Sequence, residues 1–342
     1  GLLNLNNEAV TITGGISVAD FNTIAAATSG LVTATITTPD AATLKTIAES
    51  GHSLTISIAD TTVAATDVSA IDALTASDVT VVGTTTISGS LAEIEAVQAL
   101  ATAGTTVLSG NPLTFTESLT RAQANIQHGL TAGIVTATIS DTTHAELVQL
   151  TGTAGGANAY TITTSEASLT GAQLIAINTR TTVPVNASSV TTLSGTAANI
   201  LTVLVENSDF DTDYTTAKAR TITGLDDVAV TPTDGQTATI AQIFGIEKLT
   251  TGLVTATVIA DGDNQGLDHL MDTTTGIGLT NPNNAISVTV NDSGGTQTIA
   301  AADLLTLNSR TTGLITVTVA NISGTVADLK TAFAANASPA VA

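Results

Sequence analysis

The stretch Asp261-Gly262-Asp263-Asn264-Gln265-Gly266-Leu267-Asp268, continued to Asp272, has the residue types and spacing that suit a calcium ion. Calcium takes six to eight oxygen ligands, and an Asp-x-Asp-x-polar-Gly turn wraps carboxylates around a small sphere. Against a twelve-position calcium loop, positions one, three and six match as Asp261, Asp263 and Gly266. Position five is Gln265, and position twelve is Asp272 in place of a longer, bidentate Glu. Leu253 to Val258 reads as a strand, so no helix leads into this loop. The metal candidates here are Asp261, Asp263, Asp268 and Asp272; the alternative is a solvated acidic turn. Asp209, Asp211 and Asp213 form a second acidic triplet. Its sixth and twelfth positions are Tyr214 and Arg220, so it fits only a looser calcium site or a polar loop.

Other chemistry finds little support. His52, His128, His144 and His269 lie far apart, with no pair at metal-ligand spacing. No nucleophile elbow, P-loop or dinucleotide fingerprint is present. Carbohydrate-active enzymes need clustered carboxylates, often beside Arg or Lys. Arg121, Arg180, Arg220 and Arg310 each sit among neutral neighbours in the chain. With no cysteine, disulfides, thiolate metal sites and Cys nucleophiles are excluded. A non-catalytic role is expected.

The elements that must position any site are built from a small alphabet. The 342 residues include no Trp, two Tyr, five Phe and one Met, so the core must be Val, Ile, Leu and Ala. Threonine fills about one position in five. Only 11% of residues are charged, against about 25% in ordinary domains. The net charge of −21 arises because eight basic residues face 29 acids. Nucleic acid, which demands clustered Lys and Arg, is therefore excluded as a partner, and an anionic membrane surface is disfavoured. No segment reaches the roughly 20 uninterrupted apolar residues of a membrane span. The chain starts at Gly1 without a signal peptide, and is read as a piece of something longer.

A heptad, Gly-[Leu/Ile]-[Val/Ile]-Thr-[Ala/Val]-Thr-[Ile/Val], recurs at Gly30 to Ile36, Gly133 to Ile139, Gly252 to Val258 and Gly313 to Val319. Its alternation predicts a half-buried strand, with Val32, Ala34 and Ile36 inward and Thr33 and Thr35 outward. A second motif, [Thr/Asn]-[Ile/Leu]-Ser-Gly-[Ser/Thr]-x-Ala, occurs at Thr86 to Ala92, Thr192 to Ala198 and Asn321 to Ala327. Its hydroxyl predicts a helix N-cap. Ser90 with Glu93, Thr143 with Glu146 and Thr325 with Asp328 have capping-box spacing. One cycle of strand, turn and short helix takes about 20 to 29 residues, and helical crossovers make the strands parallel. The expected fold is an α/β repeat solenoid: one parallel sheet of Thr-x-Thr strands with short helices on the opposite side, its turns like those of leucine-rich repeats or β-helices. At ~4.8 Å per strand it would form a rod of about 60 Å. Residues 1–205 read as a regular array, 206–296 as less regular repeats with acidic insertions, and 297–342 as terminal repeats of the same array.

These Gly-Leu-Val-Thr-Ala-Thr and Ser-Gly-Thr-x-Ala cycles, with the acidic Thr/Ala/Gly-rich composition, resemble the large repetitive cell-surface proteins of bacteria, particularly marine and cyanobacterial ones. The resemblance implies an extracellular structural protein that self-associates: a surface-layer, adhesin-stalk or filament subunit. The expected partners are copies of itself, as a homopolymer or array, and cell-surface glycan, with calcium as the expected cofactor. The alternative is a binding module that presents a Thr-rich face to ice or glycan; a carbohydrate-active enzyme is the third reading.

Overall fold

The computed structural model describes residues 7–151, 158–209, 218–234, 238–261, 281–291 and 298–336. By compactness the chain divides into two units. The first comprises Gly1–Asp141, Gln149–Ile162 and Arg180–Val183; the second comprises Thr142–Val148, Thr163–Thr179 and Pro184–Ala342.

In the first unit, β1 (Val10–Ile16), β2 (Val32–Ile36), β3 (Ser53–Ile58), β5 (Val79–Val81) and β7 (Thr106–Leu108) form a parallel sheet in that order. A second parallel sheet runs β10 (Ala159–Thr161), β9 (Val135–Ile139), β8 (Leu113–Leu119), β6 (Thr86–Gly89) and β4 (Thr62–Ala64). Helices α1 (Val18–Ala25), α2 (Ala41–Leu44), α3 (Ala65–Asp72), α4 (Leu91–Ala103) and α5 (Arg121–Leu130) connect them. In β2, Val32, Ala34 and Ile36 are buried and Thr33 and Thr35 exposed.

The second unit holds α6 (His144–Leu147), β11 (Ser168–Thr170), α7 (Gly171–Asn178), β12 (Val185–Asn186), β13 (Thr192–Gly195) and α8 (Ala197–Asn207). It continues with β14 (Ile222–Thr223), β15 (Ala229–Pro232), α9 (Ile240–Leu249), β16 (Thr255–Asp261) and β17 (Ala285–Asn291). Its last elements are β18 (Thr298–Ala300), α10 (Ala301–Asn308), β19 (Ile315–Thr318), β20 (Asn321–Ser323) and α11 (Val326–Asn336). Its strands pair in parallel as β11-β13-β15, β12-β14, β16-β17-β19 and β18-β20. The core packs aliphatic side chains from Leu169 to Leu307, with Phe244.

The expected solenoid with one continuous sheet is thereby corrected. The described residues form a mixed α/β structure with several small parallel sheets and eleven helices. Some strands adjacent in the chain go to different sheets, as β3 and β4 do, while others, such as β1, β2 and β3, pair in one sheet. Among the described residues no sheet exceeds five strands, so the parallel pairing breaks into separate sheets. Register also shifts between Thr11 and Gly15 in β1, and between Thr114 and Ser118 in β8.

Helix starts follow local rules. Full capping boxes close at Ser90–Glu93, Thr120–Gln123, Thr170–Gln173 and Thr239–Gln242. At α11 the Thr325 hydroxyl accepts the Asp328 amide hydrogen. Thr143 makes no side-chain cap bond, so that expected box does not form.

One device recurs where heptads meet the preceding segment. The threonine two residues before the heptad glycine accepts the glycine N–H and donates to a carbonyl of the earlier segment. Thr131 does so to Gly133 (2.9 Å) and the Asn111 carbonyl (2.7 Å). Thr250 does so to Gly252 (3.0 Å) and the Val228 carbonyl (2.7 Å), and Thr28 to Gly30 and the Glu8 carbonyl. Such a local side-chain turn fixes the chain's direction. The glycine then lies so close to the earlier backbone that no side chain fits. A Cβ on Gly133 would sit 2.5 Å from the Gly110 carbonyl oxygen and 2.6 Å from Pro112 N.

Candidate functional site

Asp209 is the one member of the second acidic triplet among the described residues. Arg220 grips it bidentately, Nε to Oδ1 at 2.9 Å and Nη2 to Oδ2 at 2.9 Å, and reaches Asp226 Oδ1 at 3.1 Å. Hydrogen bonds from Arg220 hold the Asp209 carboxyl below the usual carboxylate range, and the same pairing raises Arg220. The Lys218 amide donates to the Asp209 carbonyl, and Lys218 Nζ lies 3.2 Å from Glu206. These bonds join the chain on either side of 210–217. Asp211 and Asp213 lie outside the described residues. So do Asp263, Asp268 and Asp272. Asp261 ends β16, with its backbone in register with Asn291 of β17. Among the described residues no three His, Asp or Glu side chains gather as a metal group.

Elsewhere the acids have a role that local spacing does not announce. A carboxylate from a later segment accepts the first amide of an earlier helix. Asp60 takes the Ala41 N–H of α2 (2.8 Å), Glu117 the Leu91 N–H of α4 (2.8 Å) and Asp141 the Arg121 N–H of α5. In the second unit, Glu166 takes the His144 N–H of α6 (2.6 Å) and Asp234 the Ala197 N–H of α8 (3.0 Å). Each satisfies an orphan donor at the positive end of a helix. The acid follows its amide by 19 to 37 residues. An isolated acid about one cycle after a helix start was the available signal.

Buried polar side chains cap strand starts in the same way. His52 Nδ1 accepts the Val32 N–H (3.1 Å), and Asn284 Oδ1 accepts the Val254 N–H (2.9 Å). Asn284 Nδ2 donates to the buried Glu247 carboxylate at 2.8 Å. The densest node is Asn158, whose Oδ1 accepts the Val135 N–H at 2.9 Å. Its amide donates to the Tyr160 hydroxyl at 2.8 Å and lies within 3.3 Å of the Thr151 carbonyl.

Tyr160 is 0% exposed. Burial pushes its phenol up to about 12, against a smaller opposing effect from the Asn158 bond. The folded state thus holds this proton more tightly than the unfolded chain does. The contribution is fully present below pH ~10 and is lost as pH rises towards 12, roughly 3 kcal/mol in all. Tyrosinate absorbance should show one of the two tyrosines titrating late. Tyr160→Phe should flatten the stability loss across that window; an unchanged pH profile would contradict the assignment.

The most exposed apolar surface lies on β19, β20 and α11. Leu314 is 73% exposed, Val326 76% and Phe333 60%. Ile286, Val288 and Val290 of β17 are buried, yet Ile315 and Val317, at corresponding inward positions of β19, are only half-buried. Nothing among the described residues covers the outer edges of β19 and β20, which end their sheets, and β1 likewise ends its own. The exposed face of the first sheet carries paired threonines, Thr11 beside Thr33 and Thr35 beside Thr55. An open groove by β7, lined by Gln98, Leu108 and Leu130, has one carboxylate, Asp78.

Comparison with models of known protein families, with curated proteins and with solved structures found no match.

Proposed function

We propose that this chain is a non-catalytic structural protein of the cell exterior that self-associates as a surface-layer, stalk or filament subunit. The observation that carries the reading is the uncovered segment β19–β20–α11. Leu314, Val326 and Phe333 project there into solvent beside unpaired strand edges. Burying a large apolar side chain contributes roughly 1.5–3 kcal/mol, and an open strand edge is a template for further pairing. Sparse surface charge removes much of the usual barrier to self-contact. Among the described residues no helix is long and apolar enough to cross a membrane.

The net charge of −21 opposes association at low salt, and salt or divalent cations should screen it. Calcium is proposed to act as well through Asp261, Asp263, Asp268 and Asp272, with Asp209, Asp211 and Asp213 a weaker second place. Sedimentation velocity at micromolar concentration should give species larger than the 33.9 kDa monomer, more so in salt or calcium and less so with chelator. Electron micrographs should show filaments or sheets. A clean monomer in every condition would overturn the reading. It would favour instead a binding module for cell-surface glycan or ice, a second reading that the paired threonines of β1, β2 and β3 support.

A further inference from the structure

Lys330 has no ion-pair or hydrogen-bond partner among the described residues, although the chain holds only eight basic side chains. Its place in α11 repeats an arrangement already paired elsewhere. Lys45, the C-cap of α2, is the fifth residue counted from the helix start at Ala41, and it follows Leu44. It meets Asp67, the third residue of α3, at 2.7 Å across two successive helices that pack together. In α11, Lys330 is again the fifth residue and follows Leu329. Among the described residues no later helix stacks on α11 and none precedes α1, which carries Asp20 at its third position. Asp20 is exposed, and only its Oδ2 is engaged, by the Ser17 hydroxyl.

We infer that the β19–β20–α11 face of one copy receives the β1–α1 face of a second copy, with Lys330 paired to Asp20 across the junction. This rests on the self-association reading and names its interface. The strands match in the same sense. Ile315-Thr316-Val317-Thr318 and Val10-Thr11-Ile12-Thr13 share one alternation, and in both the apolar members are half-buried while the threonines are exposed. Parallel addition of β1 to the free edge of β19 covers Ile315 and Val317 with Val10 and Ile12, as β2 covers β1 within one copy. Asp328 and Asp20 then occupy equivalent positions on stacked helices. The fold already tolerates this, since α10 and α11 pack together with Asp303 and Asp328 both third in their helices. A contact between two different faces does not close on itself as a twofold contact does, so it propagates from copy to copy. The apolar residues supply most of the attraction, while an exposed ion pair contributes little and fixes register.

The test is a charge exchange on the full chain, using exposed positions that leave the core untouched. Lys330→Asp and Asp20→Lys should each weaken association about tenfold, because each turns one attraction into a repulsion. Mixed one to one, the two variants should recover to within about threefold of the original protein, since every junction between unlike copies again joins opposite charges. Circular dichroism of both variants should match the original, with a slightly lower melting temperature for Asp20→Lys alone, which loses the Ser17 bond in the first turn of α1. If the original assembles and the single variants assemble equally well, this interface is wrong and self-association proceeds through another face. If the variants weaken but the mixture does not recover, the direct pairing is wrong. If the original stays monomeric, the self-association reading falls with it.

Discussion

Gly252→Ala should destabilise the second unit by about 3 kcal/mol, at the upper end of the overpacking range. A Cβ at Gly252 would lie well inside 3.0 Å of Val228 C and O and of the Asp227 carbonyl. These are backbone atoms held by the Thr250 hydroxyl and cannot swing aside as a side-chain tip can. Gly313→Ala meets Ile286 and Ser287 backbone in the same way and should cost a similar amount. Gly129 supplies the contrast. It lies inside α5 with nothing within 4 Å of a built Cβ, so Gly129→Ala should stabilise by about 0.5 kcal/mol through helix propensity. Chemical denaturation of the three variants decides the matter. Equal effects at positions 252 and 129 would mean that the close approach is not what selects glycine.

Asn158→Leu should cost about 3 kcal/mol despite conserving volume. The change leaves the buried Val135 N–H without its acceptor and removes the donor to Tyr160 and the Thr151 carbonyl. A buried polar group stripped of its partner costs about 1–3 kcal/mol, far more than a bond contributes when water can replace it. Asn22 makes a comparable pair of bonds, to the Thr46 carbonyl and the Ala48 N–H, in an exposed setting. Asn22→Leu should therefore cost about 1 kcal/mol or less. A double-mutant cycle between Asn158→Leu and Tyr160→Phe should show coupling, since the two side chains share a bond. Denaturation midpoints that place Asn158→Leu no lower than Asn22→Leu would refute the argument.

What depends on near neighbours along the chain was legible from residue order alone. Alternation at a period of two put Val32, Ala34 and Ile36 inside and Thr33 and Thr35 outside, because successive side chains of a strand point to opposite faces whatever it pairs with. Ser90 and Glu93 closed their capping box for the same reason, the two groups being three residues apart. The tertiary structure decided everything that depends on which segment reaches which. Strand–turn–helix cycles read as one solenoid, but which strands pair with which divides the described residues into several small parallel sheets. Asp209 read as a candidate calcium ligand, and its carboxylate is gripped by Arg220, eleven residues further along the chain. Asp60, Glu117 and Asp234 each close a helix amide in an earlier segment, a role that no local spacing in the sequence marks. A free carboxylate and a capping one share one residue type. Only the three-dimensional path of the chain brings the second within hydrogen-bonding distance of an orphan N–H, where the helix dipole favours its charge.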